Sequence, residues 1–220
     1  PLLDLEAIKA RYEKLKRDVW LELNEELTAL EQVRILNHVL FSEEGFINSR
    51  SGHPNPKDAL IGDVMDLKKG NPLGLGTLYL AIARDLKLPI HGVNLPNHFI
   101  LCYCDKHHVH DGSENSVDSE LPGGILFYIN PFSEGTVIHP NDVSEFLSHL
   151  DLPVDERNCG PCAPIDIIRR LIGNVAYAFE RNGEISKAEE MRKLLLYIES
   201  GATEDVESAD ADGGEDEAEA

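Results

Sequence analysis

Residues 68–99 have the sequence KKGNPLGLGTLYLAIARDLKLPIHGVNLPNHF, and this segment decides the predicted fold. Asn71 followed by Pro72 is a strong signal for the start of a helix, because Asn caps helices and proline suits their first position. Residues 73–86 are apolar on most sides, which is typical of a helix at the centre of a domain. The segment therefore predicts a buried helix that begins at Pro72.

The apolar pattern on either side of this helix predicts its surroundings. Residues 5–41 carry apolar side chains at helical spacing, with a break between two helices at Asn24 or Thr28. After the buried helix the period shortens, and residues 90–95, 98–104 and 125–129 are predicted strands. Residues 45–56 are a predicted exposed loop, residues 107–122 a predicted polar connection, and residues 141–150 a short predicted helix capped by Asn141. Helices followed by an antiparallel sheet indicate an α+β fold.

The end of the chain has a different organisation. Residues 164–181 and 184–200 are predicted helices, and their pattern resembles one tetratricopeptide helical hairpin. A single hairpin cannot bury both of its faces, so we expect it to dock on the rest of the chain. We therefore predict an α+β domain over 1–150, a docked helical hairpin over 151–200 and a disordered acidic tail over 201–220.

Charge and composition exclude several function classes. Lys and Arg number 20 against 40 Asp and Glu, and nine of these carboxylates lie in residues 201–220. Such a chain has no excess of basic residues to neutralise phosphates, so we expect no nucleic-acid partner. The longest apolar run, residues 72–83, is too short to span a bilayer, so we expect no membrane segment. Four cysteines are too few for a disulfide scaffold, which favours a cytoplasmic location.

Three positions along the chain have the order that nucleophilic catalysis requires. They are the helix start at Pro72, His98 near the start of a strand, and Asn130 at the end of the next strand. A helix N-terminus lowers the pKa of a thiol and offers N–H groups to an oxyanion. A histidine can accept the thiol proton, and an acid or amide can orient the imidazole ring.

Three motifs in the same order resemble a known family. LNHVLFSEEGF (36–46), residues 68–99 and FYINPFSEG (127–135) are similar to the bacterial transglutaminase-like proteins known as regulators of SirC expression. The resemblance covers about residues 1–200, including a helical-repeat tail. It implies a papain-like α+β core with the Cys–His–Asp geometry of transglutaminases.

The chain departs from this pattern where catalysis would begin. Where active transglutaminases have their cysteine, this branch typically has a Gly-x-Pro-Ile-Ser-Leu motif. In this chain the motif reads GNPLGL (70–75), and Pro72 holds the nucleophile position. The usual Ser is replaced by Gly74, and the usual Asp by Asn130. The His position is kept as His98. The resemblance thus implies a degenerate site, in which His98 and Asn130 are vestigial, structural or part of a binding cleft.

No other residue offers an obvious substitute for the nucleophile. Thr77 lies more than one turn into the predicted helix. Cys102 shares a strand face with His98, but four residues along a strand span roughly 13 Å, against about 3 Å for a proton transfer. Cys104 lies farther still.

The four cysteines allow two further interpretations. Cys159 and Cys162 form a Cys-Gly-Pro-Cys motif ahead of a predicted helix, as in thioredoxins, where the helix N-terminus would acidify a thiol. Cys102 and Cys104 could instead join Cys159 and Cys162 in a four-thiolate zinc site, with nearby histidines as substitutes: His107, His108 and His110. The simplest interpretation is that Cys102 is a small buried apolar side chain and that the Cys-Gly-Pro-Cys motif is incidental, and we predict neither a metal nor another cofactor.

The leading functional hypothesis is a non-catalytic transglutaminase-like protein that acts in binding or regulation. Its protein or peptide partner would use the degenerate cleft or the helical hairpin. The alternative is a cysteine- or metal-dependent enzyme that acts on amide bonds, and this enzyme would need a thiol, a hydroxyl or a metal within reach of His98. A redox protein that uses Cys159 and Cys162 is a third possibility.

Overall fold

A computed structural model describes residues 4–50, 53–105 and 124–200 of the chain. The described helices are α1 (Leu5–Glu22), α2 (Ala29–Asn37), α3 (Ile61–Leu67), α4 (Pro72–Asp85), α5 (Pro140–His149), α6 (Glu156–Cys159), α7 (Pro164–Arg181) and α8 (Ile185–Glu199). The described strands are β1 (Ile47–Asn48), β2 (Lys69–Gly70), β3 (Ile90–Val93), β4 (Ile100–Cys104), β5 (Ile125–Asn130) and β6 (Thr136–Ile138).

The sheet confirms the predicted α+β class. Strands β3, β4, β5 and β6 form an antiparallel sheet in chain order, and strands β1 and β2 form a separate two-residue parallel pair. Leu101 pairs with Ile129 across β4 and β5, and Ile129 pairs with Val137 of β6. Sequence analysis missed β6, which has only three residues, and placed β1 in an exposed loop.

Helix α4 is the buried centre that the sequence predicts. The Asn71 Oδ1 atom accepts a hydrogen bond from the Gly74 N–H at 2.8 Å, and Pro72 occupies the first helical position. Five α4 side chains are essentially inaccessible: Leu73, Leu78, Tyr79, Ile82 and Ala83. They belong to one apolar cluster with residues from α1, α2 and one face of the sheet. The opposite face forms a second cluster with α5.

The N-terminal helices break at one of the two predicted residues. Thr28 caps α2, and its N–H donates to a carboxylate oxygen of Glu31 at 2.8 Å while its side chain accepts from the Glu31 N–H. This reciprocal capping box satisfies two backbone donors that the first turn would otherwise leave unpaired. This capping box explains why α2 begins directly after Thr28 and not after Asn24.

Two predicted element starts are wrong. The strand predicted from His98 begins at Ile100, because the His98 N–H donates to the Leu95 carbonyl and closes a turn before the strand. The helix predicted to start at Asn141 begins one residue earlier with Pro140. Its cap is His139, whose Nδ1 atom accepts from the Asn141 N–H at 3.1 Å.

Helices α7 and α8 confirm the two helices predicted over 164–181 and 184–200. The tetratricopeptide likeness and the domain division at residue 150 stay predictions. Helix α7 is joined to the edge of the sheet, because the Cys162 N–H donates to the Gly92 carbonyl at 2.8 Å. A Cβ atom on Gly92 would lie 2.7 Å from Ile167 Cδ1, so glycine gives α7 the room to approach β3.

The predicted acidic tail over 201–220 and the predicted connection over 107–122 both lie outside the described residues. Within the described ranges, none of the helices has both the length and the apolar character that a membrane crossing requires.

We expect opposite effects on stability from alanine at two helix glycines. A Cβ atom at Gly74 would lie 2.3 Å from the Asp58 carbonyl oxygen, whereas nothing lies within 4 Å of one at Gly173. Gly74→Ala should therefore lower the free energy of unfolding by about 1–3 kcal/mol through forced backbone shifts. Gly173→Ala should raise it by about 0.5–1 kcal/mol.

Urea denaturation of the two variants and the parent chain measures both changes. Equal effects of the two substitutions would show that the Asp58 carbonyl does not crowd the first turn of α4.

Candidate functional site

A pocket of about 200 Å³ opens where the N-terminus of α4 meets the turn before β4, the end of β5 and helix α7. Its lining consists of Asn71, Pro72, Leu73, Asn97, His98, Phe99, Ile100, Asn130, Phe132, Arg170 and Asn174. Apolar side chains form part of the wall, and amides, an imidazole and a guanidinium form the rest. Among the described residues of this lining, none carries a thiol, a hydroxyl or a carboxylate.

The structure brings the three predicted site positions to this one pocket. Pro72 comes from the first turn of α4, His98 from the turn before β4, and Asn130 from the end of β5. Their role in function stays a prediction. The helix start and the ends of the two strands lie close together, as the sequence predicts.

His98 is exposed. A structural role for His98 would predict a hydrogen bond across the core, and its side chain makes none to a described residue. Its ring packs edge-on against Phe146 of α5, with ring centroids 5.4 Å apart and an interplanar angle of 74°. Among the described residues, the imidazole is therefore held by one aromatic contact, and none of them orients its ring nitrogens through a hydrogen bond.

Asn130 uses its carboxamide to cap the turn that follows it. The Asn130 Oδ1 atom accepts from the Phe132 N–H at 3.0 Å, and Nδ2 donates to the Ser133 hydroxyl at 3.2 Å. Both bonds stay within four residues, as in the turns that Asn commonly forms. Asn130 thus lines the pocket, and its carboxamide makes no hydrogen bond to the His98 ring.

The first turn of α4 has one backbone N–H group left for an anion. Pro72 has no N–H, and the N–H groups of Gly74 and Leu75 donate to the side chain and carbonyl of Asn71. The Leu73 N–H has no hydrogen bond to another described residue. The usual serine of the motif does not fit at Gly74, where the Asp58 carbonyl occupies the space of a side chain.

Sequence analysis missed Arg170 and Asn174, which helix α7 contributes to the pocket. An Arg170 Nη1 atom donates to the Asn94 Oδ1 atom at 3.0 Å, and the guanidinium lies 5.8 Å from the centre of the Phe99 ring. Burial lowers the pKa of Arg170 from its ordinary value. A spacing of four places both residues on one side of a helix, but this spacing does not tell which element that side faces.

The cysteines lie outside this lining. The Sγ atoms of Cys102 and Cys104 are 3.8 Å apart on one buried face of β4, and a hydrogen bond to Cys104 together with burial raises the pKa of Cys102. Cys159 is buried at the end of α6. Burial raises the pKa of both Cys159 and Cys162, which corrects the expectation of an acidified thiol in the Cys-Gly-Pro-Cys motif.

The proposed four-thiolate zinc site is not assembled in the described parts of the chain. In those parts, three potential ligand atoms meet only at the exposed side chains of Glu22, His38 and Glu43. The substitute ligands at positions 107, 108 and 110 lie outside the described residues.

Comparison with known proteins agrees with the fold around this pocket. The sequence model of the transglutaminase-like superfamily matches residues 6–173. F-box only protein 21 of Homo sapiens is 27% identical over 164 residues, which are 74% of this chain and 24% of that protein. UPF0162 protein PA3419 of Pseudomonas aeruginosa is 25% identical over 175 residues, which are 78% of this chain and 57% of that protein.

The chain spans about a quarter of the length of the F-box relatives that it matches. A UPF0162 protein of Vibrio cholerae is 27% identical over 101 residues, covering 46% of this chain and 37% of that protein. No solved structure matches the chain.

A cysteine at position 72 tests whether the nucleophile position is placed as the geometry indicates. Pro72→Cys puts a thiol at a helix N-terminus, where we expect an apparent pKa of about 7.5 or lower. The matched control Ser200→Cys puts a thiol at the C-terminal end of α8, where the helix dipole works against the thiolate and the pKa should be about 8.5 or higher.

The measurement is the pH dependence of the rate of alkylation by iodoacetamide, with Cys162→Ala in both variants to remove the half-buried natural thiol. The same apparent pKa at the two positions would contradict the placement.

Native thiol titration tests the burial of the cysteines. Cys102, Cys104 and Cys159 are inaccessible, and Cys162 is partly accessible with a raised pKa. A disulfide reagent at pH 8 should therefore modify one thiol slowly in the folded protein and four after denaturation in urea. Cys162→Ala should remove the slow reaction, whereas rapid modification of two thiols would favour the redox hypothesis.

Proposed function

The chain belongs to the transglutaminase-like superfamily, and on that premise we propose that it is a non-catalytic member whose degenerate cleft binds a protein or peptide partner, in a binding or regulatory role. The observation that carries the proposal is Pro72 at the nucleophile position. A proline ring has no atom that can attack an amide carbon, and this ring lines the same pocket as His98.

The other two positions support the same proposal. General base catalysis needs an imidazole within hydrogen-bond reach of the group it deprotonates, and a partner that fixes the ring. Among the described residues, His98 has an aromatic contact only, and the Asn130 carboxamide is engaged with its own turn. The described lining also offers no alternative hydroxyl or thiol.

The pocket retains what binding requires. It is concave, it combines apolar walls with a few polar groups, and three separate parts of the fold build it. The cleft and the helical hairpin, which sequence analysis treats as two possible partner surfaces, share one site because α7 supplies Arg170 and Asn174. A partner that enters the cleft would therefore contact both.

Activity measurements on the wild type and His98→Ala test the proposal. Neither protein should release ammonia from a glutamine peptide or incorporate an amine into it, since the described lining of the pocket contains no nucleophile. His149→Ala, which changes an exposed histidine at the end of α5, is the matched control. Ammonia release that His98→Ala abolishes and His149→Ala preserves would establish the enzyme instead.

A further inference from the structure

We propose that the pocket binds a carboxylate group through the guanidinium of Arg170, so that the ligand is a small carboxylic acid or the carboxylate of a peptide. This inference rests on the proposed binding function and names the chemistry that the cleft recognises.

Arg170 forms no ion pair with any other described residue. Its neighbour Arg169 pairs with Asp166 at 3.0 Å, whereas Arg170 donates only to the neutral amide of Asn94 among the described residues. The chain has a formal net charge of −20, yet no carboxylate belongs to the described lining of the pocket. A partly buried guanidinium without a counter-ion is stabilised by an anionic ligand.

The guanidinium is held in place before any ligand binds. Its bond to Asn94 fixes one edge, and its position over Phe99 adds a cation–π contact. Phe99 is itself confined, because a Cβ atom on Gly76 would lie 2.6 Å from its ring and one on Gly92 would lie 3.1 Å away. A preorganised arginine loses less conformational entropy on binding than a mobile one.

Other parts of the lining also favour an anion. The first turn of α4 contains no acidic residue, and the Leu73 N–H makes no bond to another described residue. The partial positive charge of a helix N-terminus adds to the attraction that Arg170 exerts. The side-chain amides of Asn97 and Asn174 can donate further hydrogen bonds to a ligand in the pocket.

Size and wall composition favour a carboxylate over a phosphate. A volume of about 200 Å³ is below the range of about 300–1,000 Å³ for drug-sized ligands, so the pocket fits one small group. Leu73, Ile100 and Phe132 line it and suit a short apolar stem. One planar guanidinium matches the two oxygens of a carboxylate, to which arginine commonly binds in bidentate geometry.

The experiment compares acids with their uncharged amides, which are close in shape. Propionate and propionamide form one pair, and tri-alanine with a free or an amidated C-terminus forms the other. Each probe is titrated into isotope-labelled full chain, and binding is followed by NMR through the side-chain signals of Arg170, Asn97 and Asn174. Both acids should shift these signals at millimolar concentration, and neither amide should do so.

Arg170→Gln should weaken the binding of both acids about tenfold or more, because it removes a charge-assisted hydrogen bond. Arg169→Gln removes the same charge one residue away, outside the pocket lining, and should leave the affinity within about twofold. Circular dichroism of both variants establishes that they are folded. Tighter binding of the tri-alanine acid than of propionate would identify a peptide carboxylate, and equal binding would identify a small acid.

Three outcomes would overturn the inference: no shift with either acid, equal binding of acids and amides, or equal losses in the two arginine variants. Equal binding of acids and amides in the pocket would leave the proposed binding function in place and refute only its chemistry. Absence of any shift in the pocket with all four probes would refute the carboxylate, and amide hydrolysis that depends on His98 would refute the binding function separately.

Discussion

The carbonyl of Asp58 fixes the start of helix α4, and the pocket depends on this contact. It accepts a hydrogen bond from the Asn71 N–H at 2.8 Å and fills the space where a side chain at Gly74 would lie. The carboxylate of the same buried Asp58 accepts a hydrogen bond from the Ser49 hydroxyl. The first turn of α4 is thereby set against a neighbouring loop, and Pro72 is held at the pocket wall.

Sequence patterns predict what local chemistry determines. Pro72 starts a helix and Thr28 caps one, because each effect acts within a few residues. The exposure of His98 was not predicted, since the apolar pattern of the neighbouring residues favoured a strand where the chain forms a turn. Arg170 was not predicted either, because its place in the pocket depends on how two distant parts of the chain pack. For Cys159, burial at the end of α6 raises the pKa, which agrees with the interpretation of the Cys-Gly-Pro-Cys motif as incidental.

The pocket belongs to the whole described fold. Helix α4, the sheet and helix α7 each contribute part of the lining, so the α+β core alone would form an incomplete cleft. The superfamily match, which extends to residue 173, likewise includes Arg170. The cleft and the first helix of the hairpin therefore form one surface.

The hydrogen bond between the Cys162 N–H and the Gly92 carbonyl has a second consequence, which concerns solubility. Strand β3 is at the edge of the four-stranded sheet, and exposed edges of this kind can pair with strands of other molecules. The segment before α7 occupies one backbone acceptor of this edge, and Ile167 packs over the glycine. The segment before α7 thus covers part of this edge, and we expect a chain shortened before residue 162 to pair more readily with its own copies.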